Sequence, residues 1–183
     1  MTKMANRKLN KRQKMIMFII ILLTVFATMG MTATHIQSHY FINASQSLPY
    51  GIYHVKKPRG FNKGDIVVFN PPKTAADLIH ERQWLPKGWP LLKHIGAVAG
   101  ETYCVKPRAD KSYHLYINNQ YTGPVHEKDS HGLPITHITG CHVVGRDHFL
   151  PVSTYIKNSF DGRYFGAVPL TSIRGVAEPL ITF

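Results

Sequence analysis

An uncharged, apolar stretch near the N-terminus is the feature that most constrains this chain. Residues 15–33 read MIMFIIILLTVFATMGMTA, 19 residues without a charge. That length is close to the ~20 residues that a helix needs to cross the hydrocarbon core of a bilayer. Because a helix satisfies its backbone hydrogen bonds internally, we predict one transmembrane helix over residues 15–33.

Basic residues lie directly before this stretch, and no comparable cluster follows it. The positive-inside rule therefore predicts a cytoplasmic basic tail (1–14), a single span (15–33) and a domain on the far side of the membrane (34–183). The alternative is a cleaved secretory signal, but the apolar run exceeds the ~7–15 residues of a signal core. The basic residues of the tail are Lys3, Arg7, Lys8, Lys11, Arg12 and Lys14.

The remaining charge does not indicate a nucleic-acid partner. The chain has 22 Lys and Arg against 10 Asp and Glu, for a net charge of +12, and six of the basic residues belong to the tail. We find no zinc-finger spacing and no aromatic RNA-binding signature in the rest. The charge outside the tail is that of a mildly basic, solvated surface. The lipid bilayer is the partner that the sequence predicts.

The exported part reads as mainly β. One helix is predicted over residues 74–82, with Thr74 as a candidate N-cap, and Asn118-Asn119 is a turn candidate. Short strands separated by turn signals favour a folded-over antiparallel β-sheet or barrel. The strand candidates are residues 64–69, 102–105, 113–117, 142–144, 148–150 and 173–177.

Signatures of cofactor and metal chemistry are missing from the sequence. There is no phosphate loop, no dinucleotide-binding turn, no H-E-x-x-H and no G-x-S-x-G. The ligand-type residues between positions 126 and 142 match no zinc spacing, so we predict neither a cofactor nor a metal. Cys104 and Cys141 would lie in an oxidising compartment, where either a disulfide or two small buried thiols is consistent with the sequence.

Lys93 stands out chemically because it lies within an apolar run. Its neighbours Leu91, Leu92 and Ile95 place its stem in apolar surroundings. Burial lowers a lysine pKa from ~10.4, and a neutral lysine can act as a general base toward a serine hydroxyl. A lysine that extends to solvent from a strand edge is the alternative.

Four segments occur in order along the chain: S-x-S-L-P at 45–49, G-D-I-V-V-F at 64–69, L-L-K-H-I-x-A-V-x-G-E at 91–101 and N-S-F-D-G-R-Y-F-G-x-V-P at 158–169. Together they resemble the type I signal peptidase family of serine–lysine proteases, and in particular its conjugative-transfer (TraF-type) branch. This resemblance implies a bacterial inner membrane, with the domain 34–183 in the periplasm. The insert at residues 82–90, with its aromatic, Gly and Pro residues, also resembles that branch. Gly162 stands where the family pattern has a serine.

The resemblance implies a role for each matched residue. Ser47 matches the catalytic nucleophile, and Lys93 matches the general base. The Ser47 backbone N–H and the Ser45 hydroxyl match the oxyanion hole. Ser159 matches the hydroxyl that orients the lysine, and Asp161 with Arg163 matches a supporting ion pair.

The resemblance also implies a function. We expect a serine endopeptidase that cuts an exported precursor, the propilin of a conjugative type IV secretion system, alongside other transfer proteins. Pilin cyclisation instead of hydrolysis stays open, because both resolve the same acyl-enzyme. The alternatives are a general type I signal peptidase and a non-catalytic, membrane-anchored assembly protein of the transfer apparatus.

Overall fold

The computed structural model of the protein describes residues 10–57 and 59–183. These residues form two units, which meet along the chain at His39 and Tyr40. Lys3, Arg7 and Lys8, three of the basic residues of the predicted tail, lie outside the described residues.

The first unit is a single helix, α1 (Lys11–His39). Asn10 caps it, because Asn10 Oδ1 accepts from Gln13 N and Gln13 Oε1 accepts from Asn10 N. This reciprocal pair starts the helix before the predicted Met15. Over Lys11–Thr32 the helix is long and apolar enough to cross a membrane, and 22 residues span about 33 Å at 1.5 Å each.

The second unit is built from antiparallel strands in two sheets. The larger has the order β1-β2-β11-β3-β4-β9-β10 and the smaller the order β7-β6-β5-β8. The prediction of a mainly β, folded-over antiparallel architecture is confirmed. The strands are β1 (Tyr40–Asn43), β2 (Gly51–Lys56), β3 (Ile66–Phe69), β4 (Leu91–Ala97), β5 (Thr102–Pro107), β6 (Tyr113–Ile117), β7 (Gln120–Val125), β8 (Gly140–Val143), β9 (His148–Val152), β10 (Val168–Pro169) and β11 (Ile173–Thr182).

Two short helices and a 3-10 turn complete this unit: α2 (Lys73–Glu81), α3 (Gly162–Phe165) and the turn Leu170–Ser172. The predicted N-cap of α2 is wrong. Pro72 is the N-cap, with extended backbone and no side-chain cap, so Thr74 already lies inside the first turn. Proline supplies the extended conformation that a cap requires, two residues before the predicted N-cap. The Asn118-Asn119 turn is confirmed, since both residues have positive φ between β6 and β7.

The two faces of β4 pack against different clusters of the hydrophobic core. On β4, Leu91 and Ile95 face a cluster with α2, while Leu92 faces a second cluster that holds Leu48. A third cluster joins β9 to the smaller sheet. Because side chains alternate along a strand, Lys93 points to the same side of β4 as Leu91 and Ile95.

Cys104 and Cys141 lie directly opposite each other on β5 and β8 and form a disulfide in the structure. Cys104 is buried and Cys141 is at the exposed edge of the sheet. We predict that native, oxidised protein treated with an alkylating reagent shows no free thiol by mass analysis. Reduced, denatured protein is the control and should show two alkylated cysteines. Two alkylated cysteines in the native sample would contradict the pairing.

Candidate active site

Ser47 lies in the loop between β1 and β2, and two neighbours hold that loop in place. Leu48 is buried in the core. The buried Asn43 side chain donates from Nδ2 to the carbonyl oxygens of Ser45, Leu48 and Pro49 at 2.9–3.0 Å. These contacts fix the backbone on both sides of Ser47, so its hydroxyl has a defined direction.

Lys93 reaches Ser47 from the middle of β4. Its Nζ donates to Ser47 Oγ and, over 2.7 Å, to Ser159 Oγ. Ser159 Oγ lies 3.4 Å from Ser47 Oγ, so the amine and the two hydroxyls form one closed cluster. β4 is an inner strand, paired with β3 and with β9, so Lys93 does not lie at a sheet edge.

Burial controls the proton affinity of this amine. Lys93 is 2% exposed, and desolvation lowers its pKa from 10.5 to about 8. The negative charge of Asp161 opposes that shift and the positive charge of Arg163 adds to it. A group with this pKa can give up and recover a proton close to neutral pH.

Asp161 and Arg163 form a buried ion pair beside the cluster. Arg163 donates from Nε to Asp161 Oδ1 and from Nη2 to Asp161 Oδ2, each over 2.9 Å. Its remaining N–H groups reach the carbonyl oxygens of Ser153, Pro124 and Lys157. Because a buried charge is tolerated only when it is paired and hydrogen-bonded, this pair fixes the local chain path.

Close packing explains why position 162 is a glycine. A Cβ there would lie 2.7 Å from both Leu150 Cδ1 and the Pro151 carbonyl oxygen. No side chain fits between Asp161 and Arg163 in this chain, so the departure from the family pattern leaves the ion pair intact.

Ser153 is a residue that the sequence analysis missed. Its Oγ donates to the carbonyl oxygen of Ser47, and its backbone N–H donates to Asp161 Oδ2 over 2.8 Å. Ser153 therefore links the Asp161–Arg163 ion pair to the backbone of the loop that contains Ser47. The nearest sequence signal is a hydroxyl at the end of an apolar strand, which does not indicate a site. Asn43 was missed for a similar reason, although an Asn at a strand–turn boundary commonly bonds local backbone.

Ser45 lies close to the cluster but is turned away from it. Its Oγ donates to Asn43 Oδ1 over 2.9 Å, and its backbone N–H donates to the same oxygen. The backbone N–H of Ser47 makes no hydrogen bond to any residue in 10–57 or 59–183. The Ser47 N–H therefore has no partner among these residues, whereas the Ser45 hydroxyl is engaged by Asn43.

A cleft of about 450 Å³ opens in front of Ser47 and Lys93. Its remaining lining comes from residues 44–50, α2 and the loop after it, Leu91, residues 126–135 and residues 156–164. The apolar side chains come mainly from α2, the loop after it and residues 156–164, whereas residues 126–130 contribute His126, Lys128, Asp129 and Ser130. Within the described part of the chain, no group of three His, Cys, Asp or Glu side chains could hold a metal ion. Of the ligand-type residues between 126 and 142, Cys141 is in the disulfide and His142 stacks on Tyr103.

Comparison with known proteins agrees with this arrangement. The family model for signal peptidase, peptidase S26, matches residues 11–181. The chain belongs to this family. The match covers every residue of the site described above and implies a serine peptidase.

The similar proteins include transfer proteins and, among solved structures, a signal peptidase. The conjugal transfer protein TraF of Agrobacterium fabrum (strain C58 / ATCC 33970) is 30% identical over 165 residues, covering 84% of this chain and 89% of that protein. The plasmid transfer protein TraF of Escherichia coli is 27% identical over 153 residues, covering 78% and 82%. A crystal structure of a signal peptidase I from Enterococcus faecalis V583 covers 67% of this chain and 97% of its own, with 23% identity and a TM-score of 0.37.

Proposed function

We propose that this S26-family chain is a membrane-anchored serine endopeptidase with Ser47 as nucleophile and Lys93 as general base. The contact between Lys93 Nζ and Ser47 Oγ, in a buried position, is the observation that carries the proposal. A serine hydroxyl is a weak nucleophile unless an adjacent base removes its proton. Such a base must touch the hydroxyl and must be able to lose its own proton near neutral pH. Lys93 contacts the Ser47 hydroxyl and has a pKa of about 8, so it meets both requirements.

The reaction follows from the geometry. Neutral Lys93 takes the proton of Ser47 Oγ, which attacks the scissile carbonyl carbon. The Ser47 N–H and the Ser45 hydroxyl, once it rotates away from Asn43, stabilise the negative oxygen, and each such donor is worth ~10²–10³ in rate. The Lys93 ammonium then gives its proton to the departing amine, leaving an ester on Ser47.

Lys93 also serves the second half of the reaction. It removes a proton from water, which attacks the ester and releases the acid product, and the proton returns to Ser47 Oγ. Ser159 receives a hydrogen bond from Lys93 throughout and keeps the amine in one rotamer. If the N-terminal amine of the chain that is held as the ester attacks in place of water, the same ester yields a cyclic chain.

The anchor and its orientation are part of the proposal. We propose that residues 1–14 are cytoplasmic, that 15–33 span the inner membrane and that 34–183 are periplasmic. The basic residues before the span support this direction. A reporter that is active only in the periplasm, fused after Phe183, should therefore be active. An inactive fusion of normal abundance, with the same reporter active on a known exported protein, would overturn the orientation.

The proposed substrate is the propilin of a conjugative type IV secretion apparatus, which the similarity to TraF proteins supports. Deleting the gene, or replacing Ser47 by alanine in it, should leave the propilin uncleaved and stop conjugation. General secretion should continue, and the intact gene supplied in trans should restore transfer. Accumulation of many secretory precursors would favour a general signal peptidase, and normal transfer with Ser47→Ala would favour an assembly protein.

A further inference from the structure

We propose that the cleft has a second, apolar subsite beyond Ser47 and Lys93 that takes a bulky apolar side chain of the precursor. The two walls of this subsite are joined by an ion pair between Arg82 and Asp129. The proposal rests on the proposed peptidase function and adds a substrate requirement to it. Arg82 and Asp129 are positioning residues here, because they act through the walls.

The first wall is set by the way α2 ends. Gln83 adopts a left-handed conformation with φ of 57°, its N–H donates to His80 O, and the N–H of Trp84 donates to Ile79 O. These two bonds form a Schellman motif, which folds the chain back after the helix. The motif places Trp84 over Ile79, and with Leu85 these side chains line the cleft.

The second wall is the loop of residues 126–135, and Asp129 organises it. Asp129 Oδ1 accepts from the backbone N–H groups of His131 and Leu133, each over 2.9 Å. An isolated bridge between Lys128 and Pro134 closes the loop. Ile135, the last residue of this loop, is buried and is the apolar side chain that the loop contributes to the cleft.

Arg82 connects the two walls. Its Nη1 donates to Asp129 Oδ2 over 2.7 Å and its Nη2 donates to the Pro134 carbonyl oxygen over 3.1 Å. The Asp129 side chain is 3% exposed and that of Arg82 is 16% exposed. A pair this well shielded from solvent holds its partners more firmly than an exposed one, so it fixes the distance between the walls.

The size and lining of the cleft indicate what it binds. The whole cleft has a volume of about 450 Å³, within the roughly 300–1,000 Å³ that is typical of ligand pockets. A precursor with only methyl side chains would leave water against Trp84, Ile135 and Phe160. A leucine or phenylalanine side chain would displace it and bury apolar surface, which is the main source of affinity in such clefts.

The first experiment uses the full-length protein in lipid vesicles with synthetic precursors. Each precursor has an apolar leader and alanine at the four residues on each side of the cut, with leucine or phenylalanine at one of these positions. We expect one position at which the bulky residue raises kcat/KM by roughly 10–200-fold over the all-alanine precursor. Equal cleavage of all precursors would overturn the subsite and leave the peptidase function standing.

The second experiment changes the clamp, which is the ion pair between Arg82 and Asp129, and the first wall. Arg82→Lys cannot reach both Asp129 and Pro134 in fork geometry, and Leu85→Ser removes part of the apolar lining without altering the clamp. Each should raise KM for the preferred bulky precursor about tenfold or more, and should raise it much less for the all-alanine precursor. Lys73→Ala, which removes an exposed ion pair on α2, is the control and should change neither. Equal losses on both precursors would mean that the clamp serves the fold alone.

A binding measurement separates failure of the subsite from failure of the peptidase function. Trp84 lines the cleft and Trp89 does not, so a Ser47→Ala, Trp89→Phe protein reports on the cleft through one tryptophan. Saturable change of its emission with the leucine precursor, and a weaker effect with the all-alanine precursor, supports the subsite even if nothing is cleaved. Identical titrations with the two precursors would refute the subsite.

Discussion

Replacing Lys93 by arginine should abolish precursor cleavage while leaving the protein folded. Arginine keeps the charge and nearly the length of the lysine, so a purely structural role would largely survive. Catalysis requires an amine that loses its proton near neutral pH, and a guanidinium with a pKa above ~12 does not. We expect the cleavage rate of a membrane-presented precursor to fall roughly 10³- to 10⁶-fold.

Controls for this substitution come from the same protein. Lys106→Arg, at an exposed position on β5, should keep normal activity. Ser47→Ala should lose as much activity as Lys93→Arg, and the double mutant should be little worse than either, because the members of a nucleophile–base pair act as a unit. Protease resistance checks the folding of each variant. Near-normal cleavage by folded Lys93→Arg would refute the serine–lysine mechanism.

Replacing Asp161 by asparagine should cause the largest loss of stability. The change keeps the size of the side chain and removes the counter-ion of Arg163, which is 1% exposed. An unpaired buried charge costs about 3–5 kcal/mol. The free energy of unfolding, measured by urea titration of the protein in detergent, should fall by that amount.

Lys56→Ala is the matched control for Asp161→Asn. It removes the ion pair with Glu178, whose side chains are 49% and 58% exposed, and exposed pairs contribute about 0–1 kcal/mol. A loss in Asp161→Asn no larger than in Lys56→Ala would show that the Asp161–Arg163 pair does not hold the site together. Activity would then have to depend on Ser47 and Lys93 without that support.

Features that depend on local pattern could be predicted from the sequence. β3, β5, β6, β9 and β11 each contain a predicted strand segment, because apolar and β-branched residues between turn signals determine them. The apolar neighbours of Lys93 indicated apolar surroundings for its stem and left a solvent-exposed lysine as the alternative, and the structure places it 2% exposed. The family resemblance assigned Ser47, Ser159, Asp161 and Arg163, and the structure brings all of them to one place.

Features that depend on long-range pairing could not be predicted. β1 pairs with β2, and β2 also pairs with β11, which comes more than 100 residues later in the chain. Ser153 meets Ser47 across 106 residues of sequence, and Arg82 meets Asp129 across 47. A hydroxyl or an arginine carries no local signal of such a partner, so only the folded chain shows these contacts.

The pH dependence of kcat/KM for precursor cleavage tests the Ser47–Lys93 account most directly. The free enzyme is active when Lys93 is neutral, so the account predicts that kcat/KM rises about tenfold per pH unit below its pKa and levels off above about pH 8. A histidine base would give a different profile: His94, next on β4, has its pKa lowered from 6.5 by burial. A limb near pH 8 would support Lys93 as the base, whereas a profile already flat above pH 6.5 would contradict it.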